Sequence, residues 1–360
     1  MFTAIIFIIV LGVLVFVHEF GHFIFAKRAG MRVEEFGFGF PPRIWGIKKG
    51  ETLYSINTIP FGGFVKILGE EGEHRENPRS FSSKPISQRL MVIVAGVMMN
   101  FFLAVGFLMI GNFFGLRIGL VDNQAVPGAT DKQIQIIQIA QGSPADTAGL
   151  KLLDQVKGFK INNSLQPVST VEEVQNYIHE NAGHEVVMEI KRNNELLDKT
   201  VVPRANPPVG QGALGISLAL TGIVHYPWYE AIWRGVYDAV ILTTNTIIGY
   251  FLLFKTLLLK GKLLADVSGP VGIATLTGQA ARIGITYLLQ FTAMISVNLA
   301  VLNIIPFPAL DGGRALLIIV EKLKGSPLNK KVEQMINTIG FALLVALMVY
   351  VTAKDIVRFF

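Results

Sequence analysis

The chain has 360 residues, of which 51% are hydrophobic and 16% charged, and its mean hydropathy is +0.49. These values exclude an ordinary soluble globule and place the chain among integral membrane proteins with a modest polar portion. The formal net charge of +6 falls beside apolar runs, so it reads as membrane topology and no nucleic-acid partner is expected; cysteine is absent, which rules out disulfides and thiolate metal ligands.

Residues 1–26 are apolar apart from Thr3 and a histidine–glutamate cluster, and they are long enough to cross a bilayer. Without a basic start or a small-residue cleavage site, the run reads as a retained transmembrane helix, not a signal peptide. Eleven Lys and Arg from Lys27 to Arg89 put the next segment, 27–89, on the cytoplasmic side. Its glycine, aromatic and β-branched alternation predicts β-hairpins. Residues 90–114 form a second predicted transmembrane helix, with Asn100 in its middle.

A polar domain is expected over 117–207, with strands at QIQIIQIA and EVVMEIKR, a helix at VEEVQNYIHE, and Pro203, Pro207 and Pro208 at its exit. Residues 226–262 read as an interfacial amphipathic segment on the outer surface. Glu230, Arg234 and Asp238 sit four apart among Trp228, Tyr229 and Trp233, and Thr243, Thr244, Asn245 and Thr246 interrupt the apolar stretch. Residues 283–305 and 335–353 are the third and fourth predicted transmembrane helices. Between them, 306–334 holds an LDG motif and the basic residues Lys322, Lys324, Lys330 and Lys331, which mark a cytoplasmic-side loop. The expected fold is a polytopic α-helical membrane protein of about four transmembrane helices with a β-hairpin loop and one extracytoplasmic α+β domain.

His18-Glu19-Phe20-Gly21-His22 matches H-E-x-x-H. On a helix, residues four apart lie one turn along the same face, so both imidazoles can meet one metal ion. Glu19 is rotated away from them and left free to act as a base toward water. Counting about 1.5 Å per residue, His18 lies about 13 Å and His22 about 7 Å from Lys27, within the hydrocarbon. Ionisable groups at that depth are expensive and mark function; the bland alternative is a pair of buried histidines hydrogen-bonded to other helices. The remaining histidines, His74, His179, His184 and His225, fall outside the predicted spans and read as ordinary domain or surface residues.

A catalytic zinc site takes three protein ligands, and the third must be His, Asp or Glu in this chain. Asp311 in NIIPFPALDGGR is the best candidate, because Pro306 and Pro308 leave unwound backbone near membrane depth. The alternative role for Asp311 is an N-cap for the helix through ALLIIVEK. Asp311 shares a depth with the histidines only if runs 1–26 and 283–305 cross in the same direction. That parity is the reason for assigning 226–262 to the interface.

With HEFGH, FGFG, PFGGFVKI, AGVMMNF, SGPVGIA, SVNLAVLNIIP and LDGGR on the page, the chain resembles the site-2 protease family of intramembrane zinc metalloproteases over nearly its whole length, most closely the bacterial regulator-of-sigma-E type. The resemblance implies Zn2+ held by His18, His22 and Asp311, with Glu19 as the catalytic base. It further implies substrate engagement by Asn298 and Asn303, while the cytoplasmic hairpins, at Phe61, Gly62, Gly63 and Phe64, are expected to hold an unwound substrate extended by edge pairing. The stretch GSPADTAGLKLLDQVKGFKI resembles part of a PDZ domain, which implies a PDZ-like fold for 117–207. Two departures stand out: Val97 replaces the proline usual in the family's A-G-P-x-x-N-F pattern, and the insert has room for one PDZ domain where some relatives carry two.

The expected partners are the lipid bilayer and a membrane-protein substrate with one transmembrane segment, such as an anti-sigma factor or a signal-peptide remnant. The expected location is the bacterial cytoplasmic (inner) membrane, with the N-terminus and the PDZ-like domain outside the cytoplasm. No oligomeric state follows. Two rivals come from other classes: a non-enzymatic scaffold binding peptides through its outer domain, and a metal transporter. The scaffold needs no bound metal, and the transporter needs ligands strung along several spans.

Overall fold

A computed structural model describes residues 2–70, 72–120, 128–162, 164–192, 195–261, 269–326 and 328–359. They form two compact units, one of Met1–Gly111 with Tyr229–Phe360 and one of Asn112–Trp228. Ser268 of the SGPVGIA stretch, residue 262 of the interfacial segment and the side chain of Phe61 lie outside the described set.

The first unit begins with helix α1 (Phe2–Arg28), whose largely apolar sequence closes on Lys27 and Arg28. Strands β1 (Val33–Lys49) and β2 (Thr52–Ile67) follow as the expected hairpin. It folds back on itself: Phe36 pairs with Tyr54 on one side and with Val65 on the other. Pro41, Pro42 and Pro60, which supply no amide donors, mark where the strands bend. Phe36 and Tyr54 pack against Phe16, Phe20 and Phe23 of α1. At the turn between the strands, Glu51 accepts hydrogen bonds from Lys27 (2.9 Å) and Arg79 (2.6 Å), which hold its carboxyl down to about 2.

Helix α2 (Ile86–Phe114) approaches α1 closely, since a Cβ on Gly21 would lie 2.5 Å from the Ala95 carbonyl oxygen. Small residues of this kind let membrane helices touch along their backbones. Later in the chain come α5 (Trp228–Lys260), α6 (Pro270–Ile283), α7 (Ile285–Ile304), α8 (Asp311–Lys324) and α9 (Lys330–Phe359). Buried Ala26, Met31, Ile67, Phe81, Val92 and Ile318 join the end of α1, the hairpin, the start of α2 and α8 into one core.

Five of these helices, α1, α2, α5, α7 and α9, are long and apolar enough to cross a membrane, so the chain is a multi-pass membrane protein carrying β-sheets. Helix α5 is continuous where the sequence suggested interruption. The hydroxyls of Thr243, Thr244 and Thr246 donate to the carbonyls of Ala239, Val240 and Leu242, 2.7–2.9 Å away, so the threonines satisfy themselves inside the helix. The 14-residue α6 is absent from the sequence-based expectations, and Gly284 (φ +156) separates it from α7.

The second unit holds β3 (Leu116–Leu120), β4 (Thr130–Ile139), α3 (Pro144–Thr147), β5 (Gln155–Ile161), β6 (Ser164–Pro167), α4 (Val171–Glu180), β7 (Val186–Arg192), β8 (Glu195–Val201) and β9 (Ile216–Val224). The sheet runs β3-β9-β4-β5-β7-β8, with β6 beside β5 and every pairing antiparallel. Helix α4 covers VEEVQNYIHE and starts with a capping box of Thr170 and Glu173. The unit extends past the expected limit of 207, because β9 returns after the prolines to bridge β3 and β4.

Candidate metal centre

His18 and His22 face inward from α1, both buried. Their Nε2 atoms lie 3.2 Å apart. Asp311, the first residue of α8, brings Oδ2 to 3.1 Å from His18 Nε2 and 3.4 Å from His22 Nε2. A tetrahedral zinc with bonds of about 2.0–2.1 Å sets its ligand atoms about 3.3 Å apart, so the three atoms have the spacing that zinc requires.

The hydrogen bonds around these atoms are those of ligands. His22 Nδ1 lies 2.8 Å from the Val92 carbonyl oxygen, which fixes it as the protonated nitrogen and leaves Nε2 a bare lone pair. His18 Nδ1 lies 3.5 Å from the Asn100 amide, whose buried Oδ1 has no partner among the described residues. Turning that amide over makes Oδ1 the acceptor of Nδ1–H, and His18 Nε2 is then a lone pair as well. Asp311 Oδ2 is buried and accepts no hydrogen bond from the described residues. Two imidazole lone pairs and a carboxylate oxygen converging without a proton donor fit a divalent cation.

Neighbouring segments are shaped to this arrangement. A Cβ on Gly96 of α2 would lie 2.3 Å from His22 Nε2 and 2.8 Å from His18 Cε1, so only glycine leaves room for both rings. Asn100 is fixed in turn, its carbonyl accepting from Ser296 Oγ of α7 at 2.7 Å. Asp311 does not cap α8 as the alternative reading had it: Leu310 holds the N-cap position and makes no side-chain cap bond. Gly312 and Gly313 let the preceding turn fold onto the helix, since Cβ atoms there would reach 2.2 Å from the Ile304 and 2.1 Å from the Phe307 carbonyl oxygens. Arg314 pairs with Glu70, and Arg89 bonds Glu321 at 2.6 Å, which ties α8 to the segment after β2 and to the start of α2.

Glu19 points toward the hairpin, and its Oε2 accepts the Val65 N–H at 3.2 Å. A Cβ on Gly63 would sit 3.7 Å from Glu19 Cγ. The strand containing the predicted Gly62, Gly63 and Phe64 therefore runs beside Glu19. Gly62 (φ +100) packs on Phe40 and Val15, and Phe64 covers Gly37. Asn298 is engaged elsewhere, accepting from Tyr250 Oη of α5 at 3.0 Å and donating to the Met294 carbonyl at 2.8 Å. Asn303 is half-buried near the end of α7. Among the described residues no hydrogen bond joins either asparagine to His18, His22 or Asp311. Sequence reading missed Gly96, the Val92 carbonyl and the Val65 amide; the close AGV spacing in α2 was the one available hint.

A family model described as peptidase family M50 matches residues 6–347. The chain is 39% identical over 347 residues to a Clostridium perfringens protein that carries a provisional zinc-metalloprotease name, covering 96% of this chain and 95% of that one. It is 32% identical to the zinc metalloprotease RasP of Oceanobacillus iheyensis, covering all of both chains. It is 31% identical to the regulator of sigma-W protease RasP of Bacillus subtilis, covering 99% of each.

Proposed function

The chain belongs to peptidase family M50 and is a membrane zinc metalloprotease, and from that premise we propose that it hydrolyses peptide bonds within or beside the transmembrane segment of single-span membrane proteins. The observation that carries this reading is the convergence of His18, His22 and Asp311 within 3.1–3.4 Å in an otherwise apolar setting. These residues would hold the zinc, which when bound supplies Lewis acidity to the scissile carbonyl and to water. Glu19 takes the proton from the attacking water and delivers it to the leaving nitrogen. The Val65 amide holds the Glu19 carboxylate ready for that role.

A helical substrate hides its carbonyls, so it must be drawn out before hydrolysis. The strand edge at residues 61–65 can pair with an extended segment, and its position against Glu19 supports this role for Phe61, Gly62, Gly63 and Phe64. Asn298 and Asn303 take up backbone groups freed by unwinding; for Asn298 this requires release from Tyr250.

The reading places the N-terminus and a PDZ-like second unit outside the cytoplasm of a bacterial inner membrane, with four crossings and α5 along the outer interface. Basic residues at the end of α1 and in the following loop support the orientation. Regulated intramembrane proteolysis is the corresponding process. Purified wild-type protein should cut a tagged single-span substrate in detergent or liposomes, and Glu19→Gln should not, while both bind zinc. Cleavage by Glu19→Gln at the wild-type rate would remove Glu19 as the base.

A further inference from the structure

The turn that presents Asp311 is held from a helix that supplies no ligand. Ala309, two residues before Asp311, has φ +69, a left-handed conformation that a residue with a Cβ keeps only when its surroundings impose it. Its N–H donates to Asn337 Oδ1 of α9 at 3.4 Å. Three residues on, buried Gly340 lies against the same turn: a Cβ there would sit 2.4 Å from Pro308 Cβ and 2.8 Å from the Pro308 carbonyl oxygen. Residues three apart share a helix face, so one face of α9 both hydrogen-bonds and abuts the turn.

Near the opposite end of α9, Asp355 accepts the Gly272 N–H of α6 at 2.7 Å. The helix is thus tied at two levels and cannot slide along the turn without breaking one of them. Zinc tolerates only about 0.2 Å of error in its ligand distances, so a turn containing a strained alanine needs such a buttress.

We propose that Asn337 and Gly340 are positioning residues of the metal centre, through which α9 sets the Asp311 carboxylate at its distance from the two imidazoles. The proposal rests on reading Asp311 as a ligand. Released from Asn337, Ala309 relaxes toward ordinary backbone angles and carries the carboxylate away from His18 and His22.

The test is competitive titration of the full-length, metal-stripped protein with zinc alone against a chelator, with thermal unfolding of each metal-free variant alongside. Asn337→Leu should weaken zinc binding tenfold or more, the usual cost of losing a group that orients a ligand. Asn337→Asp keeps an oxygen acceptor and should bind zinc close to wild type. The 590 Å³ cavity that Asn337 lines presents Arg75, Arg89 and Arg314 together with Glu70 and Glu333, so metal-free stability is compared for the charged and the leucine variant alike. Gly340→Ala should weaken binding as Asn337→Leu does, and it decides the matter if the leucine variant does not fold. Wild-type zinc affinity in the variants, or equal weakening in Asn337→Leu and Asn337→Asp with lowered metal-free stability, would overturn the proposal. Asp311→Asn is the control: undiminished zinc affinity there would sink the ligand reading itself, whereas loss there with normal binding in the α9 variants sinks only the buttress.

Discussion

Asp154 in the second unit and Asp311 in the first are carboxylates withdrawn from water, and their surroundings are opposite. Asp154 is 1% exposed and matched at both oxygens: Oδ1 accepts from Arg192 Nε at 2.7 Å, and Oδ2 accepts from Arg192 Nη2 at 2.7 Å and the Lys151 amide at 2.8 Å. Asp311 presents a buried Oδ2 to two imidazole nitrogens and accepts no hydrogen bond there from the described residues. A carboxylate with both oxygens matched belongs to the scaffold, because its burial is already compensated. One left unmatched between two lone pairs is compensated only by a cation. The same residue type is therefore structural in one place and functional in the other, and the partner inventory separates them.

That contrast breaks if activity survives loss of the groups around Asp311. The largest effect is expected from Glu19→Gln, which should lower cleavage of a single-span reporter by about 10²–10⁴-fold while leaving one zinc per chain by elemental analysis. Next comes the paired exchange of the two aspartates. Asp311→Asn should strip zinc and leave unfolding of the metal-free protein unchanged. Asp154→Asn should leave Arg192 without its counter-charge, destabilise the second unit by about 3–5 kcal/mol, and spare zinc content in the folded fraction. If Asp154→Asn costs zinc and Asp311→Asn does not, the contrast is reversed.

Gly96→Ala sharpens the picture without replacing a ligand. Its added methyl falls 2.3 Å from His22 Nε2, and zinc affinity should drop about 10–100-fold, measured by chelator competition. The smallest effect belongs to Glu51, whose carboxyl is held down to about 2 by hydrogen bonds from Arg79 and Lys27. Its contribution is complete above the ordinary carboxylate value and is lost as pH falls through about 2. Glu51→Gln should therefore cost about 0.2–1 kcal/mol near neutrality, as exposed pairs do. The gap from wild type should narrow as pH falls from 4.5 to about 2 in unfolding measurements.

How much could be read from the residues depended on how local the information was. His18 and His22 lie one turn apart on a single helix, so their convergence needs only helical geometry. Asp311 lies 289 residues beyond His22 and was reached through the need for a third ligand and the unwound backbone at Pro306 and Pro308. Helix α4 was legible to the residue because its capping box and apolar face coincide. What stayed hidden is non-local. Gly96 matters because α2 crosses α1 at the histidines, and β9 belongs to the sheet because it pairs with strands far back in the chain. The threonines of α5 were misjudged as interruptions because their hydroxyls find acceptors one turn earlier in the same helix.

Zinc-edge X-ray absorption on the purified protein tests the central claim most directly. The account predicts one zinc per chain in a shell of nitrogen and oxygen at about 2.0–2.1 Å, with outer-shell scattering from two imidazoles that falls to one in any metal retained by His22→Ala. A spectrum that keeps two imidazoles in that variant, or a wild-type protein that takes up no zinc when it is supplied, would contradict it.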